Sequence, residues 1–234
     1  MKKIFISIAS LLVLSVVILA VNYAIWDQRS TTISEGKPIV QRGTKKQALL
    51  VIDIQEGITG TSSTSEFYVL KSEELISVVN RIIDSSASND IPVIYVKNEI
   101  SNPLINILNS SLASGSPGAE LDSRLKVLSP YIVNKDKSDA FSNPLLDSIL
   151  VKNEINRLVF VGLDLGECVK STIEAADNRE YDICLISDAL VADPDSLRDV
   201  LLDIFKQRGF EITSSNEYVE RARYAQSGGV SAGQ

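Results

Sequence analysis

Between residues 46 and 214, short apolar runs rich in β-favouring residues alternate with longer stretches whose apolar residues recur at helical spacing. No other feature constrains the fold as much. "ALLVID", "IPVIYVK", "PYIVNK", "RLVFVG" and "YDICLIS" read as strands, with "FEITSS" as a last edge strand. "EELISVVNRIIDSS", "NPLLDSILVKN", "CVKSTIEAADNRE" and "PDSLRDVLLDIFKQRG" read as helices, the last stopped at Gly209. A run such as "ALLVI" has no polar alternation, which is the pattern of a strand buried on both faces. Strands alternating with helices therefore predict an α/β layered fold with a mainly parallel sheet.

In such sheets ligands bind beyond the carboxyl ends of the strands. Three reactive residue types fall there: Asp53 after "ALLVI", Lys135 at the end of "PYIVNK", and Cys168 just past "RLVFVG". Each has an ordinary structural reading, as a loop cap, a solvated strand end or a small core residue. Together they are what thiol catalysis needs in a chain with no histidine. A thiol at a helix N-terminus gains from the helix dipole. A carboxylate can take its proton, and a lysine can hold that carboxylate ionised. Asp164 and Glu167 flank the cysteine and raise its pKa if they point inward. Asn98 and Glu99 follow the second strand, where a surface loop is favoured over a substrate contact.

The absence of histidine excludes a Ser-His-Asp arrangement and imidazole-ligated zinc. No carboxylate spacing reads as a metal cage, so no metal and no other cofactor is expected. "DIQEG" lacks the second aspartate of a phosphatase loop, and no Gly-x-Gly-x-x-Gly follows the first strand. With Lys+Arg 23 against Asp+Glu 30 and no basic stripe, nucleic acid is not an expected partner. A small molecule is the expected substrate, and assembly into a homo-oligomer is left open. Cys168 and Cys184 do not make a disulfide framework.

Lys2 and Lys3 precede an uncharged run from residue 4 to 26, long enough to cross a bilayer. A signal peptide has a shorter apolar region and a small-x-small cleavage site, and candidate sites after Ala20 or Ala24 have Ile18 or Asn22 two positions earlier. An uncleaved single-pass anchor over residues 1–26 is favoured over a signal segment. The charge rule gives a mixed vote on orientation, with Arg29, Lys37, Arg42, Lys45 and Lys46 following the run, and a domain outside the cytoplasm is preferred. Residues 27–45 are polar, carry Gly36, Pro38 and Gly43, and read as a tether that adds nothing to the sheet. The domain is expected over residues 46–224 and a disordered tail over 225–234.

Four segments in order, "ALLVIDIQEG", "GSPGAELDSRL", "VNKDKSDAF" and "VGLDLGECVKSTIEAADNREYDICLISDAL", resemble the isochorismatase-like cysteine hydrolase family, which includes nicotinamidases and other small amidohydrolases. The resemblance implies a Rossmann-like three-layer sandwich and a catalytic triad of Asp53, Lys135 and Cys168. It implies a cis peptide at Leu163–Asp164 and an oxyanion hole made by the backbone N–H groups of Asp164 and Cys168. The implied activity is cleavage of a C–N bond in a small amide through a Cys168 thioester. The chain departs from the family in having Asp164 and Leu165 where a small residue and a threonine or serine are usual. It also lacks the metal-binding histidines of nicotinamidases, which argues against nicotinamide. A catalytically silent binding or assembly module is the alternative reading, and ether hydrolysis of the isochorismate type a further one.

Overall fold

The computed structural model describes residues 2–40 and 43–226, so Arg42 and most of the expected tail, residues 227–234, lie outside the described residues. Six strands form one parallel sheet: β1 (Gln47–Ile52), β2 (Val93–Asn98), β3 (Tyr131–Lys135), β4 (Arg157–Gly162), β5 (Asp182–Leu190) and β6 (Glu211–Thr213). Their spatial order is β3-β2-β1-β4-β5-β6. The helices are α1 (Lys2–Ser30), α2 (Glu66–Ser88), α3 (Pro103–Leu108), α4 (Pro144–Lys152), α5 (Cys168–Asp177), α6 (Asp195–Gln207) and α7 (Ser215–Gln226).

The unbroken apolar run of β1 is explained by what covers each face. Leu49 and Val51 pack with Val79, Ile82, Ile83 and Tyr218 of α2 and α7. Ala48, Leu50 and Ile52 pack with Leu146, Leu150, Ile173, Leu201 and Phe205 of α4, α5 and α6. The two-residue period of the strand divides one apolar segment between two cores. The chain builds outward from β1 through β2 to β3, then crosses back to β4 on the other side of β1. This reversal leaves a crevice above the carboxyl ends of β1 and β4.

Gly162 closes β4 at φ 118, and a Cβ there would run into the backbone of Ile52 on β1. Glycine thus allows β4 to end against β1 and the chain to turn into α5. Residues 215–226 carry few apolar side chains, so α7 is not announced by periodicity. It is anchored by Tyr218, buried and hydrogen-bonded to Ser86 of α2 at 3.0 Å.

One N-terminal helix, Ser10–Ser30, is long and apolar enough by length and composition to cross a membrane. The same test is passed by a signal sequence. The helix continues past Trp26 to Ser30, and the stretch after it is laid against the domain where a free tether was expected. Ser34 donates to Asp139 from its backbone N–H (2.9 Å) and its hydroxyl (2.8 Å). Arg179, buried, donates to the carbonyls of Ser34 and Glu35, and its own carbonyl accepts from Ile39 N–H. Ile33 and Ile39 pack on the core. Extended backbone without a ladder needs partners for its polar groups, and here one guanidinium and one carboxylate supply them.

Candidate active site

Asp53 is the first residue beyond β1, and its backbone lies in the left-handed region at φ 55. Aspartate is one of the few non-glycine residues found there, and such conformations gather at functional sites. Lys135 is the last residue of β3, two strands away. Neighbouring strands lie roughly 5 Å apart, so a long side chain is needed to cross β2 and reach the end of β1. The Lys135 ammonium does so, fully buried, at 2.9 Å from Asp53 Oδ2. It also stands 3.2 Å from Cys168 Sγ. Cys168 opens α5 and is half-buried, whereas Cys184 on β5 is buried. The three residues singled out at the strand ends therefore meet in one cluster at the switch point.

The electrostatics assign different states to the three. Burial pushes the Cys168 thiol up, the Lys135 charge pulls it back, the Asp53 charge raises it again, and the result is about 12. Burial alone would lower the Lys135 ammonium, but the Asp53 charge, with the hydrogen bonds to Asp53 and to the Cys168 sulfur, outweighs it and holds it above the ordinary lysine value. At neutral pH the resting cluster thus holds a protonated thiol beside a charged lysine. Asp53 Oδ2 faces the lysine, while Asp53 Oδ1 is buried with no hydrogen-bond partner. A buried carboxylate oxygen without a partner is costly unless the site uses it.

The turn before Cys168 supplies donors. The Leu163–Asp164 peptide is cis. The backbone N–H groups of Leu163, Leu165, Glu167 and Val169 donate to carbonyls of Ile52, Val191, Asp164 and Asp164 respectively. Those of Asp164 and Cys168 have no acceptor among the described residues. The Asp164 carboxylate is held by the Tyr68 hydroxyl at 2.9 Å and Asp193 N–H at 2.8 Å. Both partners are remote in sequence, so nothing local signals their role. Burial, followed by the contact with Asp164, raises the Tyr68 phenol, which keeps it a donor. Behind the Cys168 thiol, Thr172 donates to Cys168 O at 2.7 Å and accepts from Ala140 N–H at 3.1 Å, tying α5 to the chain that follows Lys135.

The profile of the Isochorismatase domain matches residues 47–217. The chain belongs to the isochorismatase family. Among curated relatives, ureidoacrylate amidohydrolase RutB of Acinetobacter baylyi is 28% identical over 177 residues, covering 64% of this chain and 72% of that protein. Among solved structures, a cysteine hydrolase from Pseudomonas syringae superposes with a TM-score of 0.67 at 21% identity, over 81% of this chain and 99% of that one. N-carbamoylsarcosine amidase from Thermoplasma acidophilum superposes with a TM-score of 0.61 at 28% identity, over 73% of this chain and 96% of that one.

In this isochorismatase-family chain, Asn98 and Glu99 are engaged within the protein. The backbone N–H and carbonyl of Asn98 are both bonded by the Gln55 side chain. Glu99 pairs with Lys97 at 3.2 Å and accepts from Asn134 and Ser114. Glu99 still lines, with Ser114, Asn134, Lys135 and Asn143, a cavity of about 360 Å³ on the edge of the sheet that carries the cluster. Another cavity, of about 580 Å³, lies between α2 and α7, away from Cys168.

The two thiols should separate in reactivity. Alkylation of the native protein by iodoacetamide at pH 8 is expected to reach Cys168 well before Cys184, because only the first is partly exposed. A thiol raised to about 12 keeps gaining thiolate well above neutrality, so the Cys168 rate should climb with pH without a plateau below pH ~10. Mass-spectrometric site assignment checks both statements. A plateau near pH 7 would show a thiolate at rest and overturn the electrostatic reading.

Proposed function

We propose that this protein is a membrane-tethered cysteine hydrolase that cleaves a C–N bond of a small amide through a thioester on Cys168. The observation that carries the reading is the cluster of Lys135 Nζ at 2.9 Å from Asp53 Oδ2 and 3.2 Å from Cys168 Sγ, beneath two unoccupied backbone donors. The names of two relatives, an amidohydrolase and an amidase, support the substrate class.

The steps follow from proton positions. The thiol is protonated at rest, so its proton must leave as sulfur attacks the carbonyl carbon. Asp53 Oδ1 is the buried acceptor with no other partner and takes it. The carbonyl oxygen becomes an oxyanion, received by the N–H groups of Asp164 and Cys168. Asp53 then returns the proton to the departing nitrogen, the C–N bond breaks, and an acyl-thioester is left on Cys168. Water, giving its proton to Asp53, attacks the thioester and releases the acid and the thiol. Lys135 stays charged throughout and compensates the negative charge that moves between Asp53 and the substrate.

No step calls for a metal. The chain has no histidine, and among the described residues no three Cys, Asp or Glu side chains are grouped to hold a metal ion. Ammonia or amine release from a panel of small amides is the direct test. We expect turnover of at least one panel member and an unchanged rate after prolonged chelation. Silence across a broad panel would favour the catalytically silent reading, and a rate restored by zinc or manganese would contradict the metal-free scheme.

The helix α1 serves in this reading as an uncleaved anchor with the domain outside the cytoplasm. Its support is the uncharged run over residues 4–26, the poor cleavage sites within it and the lysines before it. The native chain should pellet with membranes and resist carbonate washing. Recovery of a soluble native chain beginning near Val21 or Ile25 would identify a signal peptide.

A further inference from the structure

The path of the chain shows on which side of the domain α1 emerges. β1 begins at the edge of the sheet opposite the catalytic cluster. The carbonyl of Ser30, the last residue of α1, accepts from Ser138 N–H at 2.8 Å, in the loop that follows Lys135 on the catalytic edge. From there the strap runs across the α4–α5 face to Arg179, beyond the end of α5, and on to β1. The helix α1 therefore rises from the catalytic edge.

It rises beside the loop that joins β2 to β3. Asn22, eight residues before Ser30 and so roughly 12 Å up the helix at 1.5 Å per residue, accepts from Asn102 Nδ2 at 3.1 Å. Asn102 caps α3 through Leu104 N–H. The surrounding loop is unusual in composition: residues 100–119 contain no charged side chain, in a chain that is 23% charged. Two aliphatic side chains of α3 stand in the open, Ile107 at 70% and Leu108 at 59% of full exposure.

Helix length gives the level of this loop. A hydrocarbon layer takes about 20 residues of helix, which, counted from Ile4, ends at Tyr23. Tyr23 and Trp26, with ring centroids 6.2 Å apart, are the residue types that collect at the headgroup level. Asn22, and with it Asn102 and α3, stands at that same level. We propose that the charge-free loop of residues 100–119 lies on the lipid surface beside α1, with Ile107 and Leu108 entering the interface. The catalytic edge then faces the headgroup layer and does not hang free on a long tether. The inference rests on the reading of α1 as an anchor.

The test uses the full chain carrying Cys168→Ala, which leaves only the buried Cys184, with Ile107→Cys added and labelled with bimane. The control carries Gln207→Cys, exposed at the end of α6 on the opposite edge. Both are reconstituted into phosphatidylcholine and phosphatidylglycerol vesicles and recovered by flotation. We expect nitroxide lipids labelled near the headgroup to quench position 107 several-fold more than position 207, and aqueous iodide to show the reverse order. Flotation with equal quenching at both positions would overturn the docking while leaving the anchor intact. A chain that fails to float would overturn both.

Discussion

Cys168→Ala should remove amide turnover by at least about 10³-fold while leaving the fold and its thermal midpoint nearly unchanged. The side chain is half-buried and loses only a sulfur, and no apolar cavity of consequence opens in the core. Asp53→Asn tests the other half of the scheme. It keeps the shape of the side chain and removes the proposed base, so kcat should fall by about 10²–10⁴-fold. The same substitution makes an opposite prediction for alkylation. The Asp53 charge raises the Cys168 thiol, whereas Lys135 lowers it. With asparagine at 53 the lysine acts unopposed, and thiolate forms at lower pH than in the parent. Iodoacetamide should therefore label Cys168 faster at pH 8 in Asp53→Asn although turnover falls. A purely structural Asp53 would not separate the two readouts in this way. Turnover retained in either variant would sink the assignment.

The sheet was legible because burial on both faces forces long apolar runs onto its central strands, and the cysteine, lysine and aspartate fall at their ends. Proximity of these three could be inferred from topology, but their states could not. That the thiol is protonated and that one Asp53 oxygen lacks a partner are consequences of burial, which no spacing encodes. Asp164 is not among the groups that chiefly set the Cys168 thiol, and its carboxylate is engaged by Tyr68, 96 residues earlier in the chain, and by the Asp193 backbone. α7 was illegible for a different reason: one buried tyrosine and a polar exterior leave no helical stripe. The strap was illegible because its partners, Arg179 and Asp139, bind backbone groups, and backbone groups are the same in every sequence.

Removing the Lys135 charge should destabilise the fold strongly. Its side chain is fully buried, as is that of its partner Asp53 at 2.9 Å. Deleting one member of a buried pair leaves the other charge uncompensated, at a cost of about 3–5 kcal/mol. For a chain of this size that is a fall in midpoint of roughly 6–20 °C. Lys135→Met keeps most of the stem volume, so the loss reports charge and not packing. The double variant Lys135→Met with Asp53→Asn removes both charges and should recover most of the stability with no turnover. Linkage gives an independent sign. The ammonium is held above its ordinary value in the folded protein, so its contribution is fully present below that ordinary value and fades only as pH rises through the folded one. The stability gap between parent and Lys135→Met should thus stay constant from pH 6 to about 9 and narrow in strong alkali. Thermal denaturation of the detergent-solubilised full chains across that range measures it. A single variant as stable as the parent, or a double variant weaker than the single, would mean that Lys135 is held by packing and that its charge is incidental to the cluster.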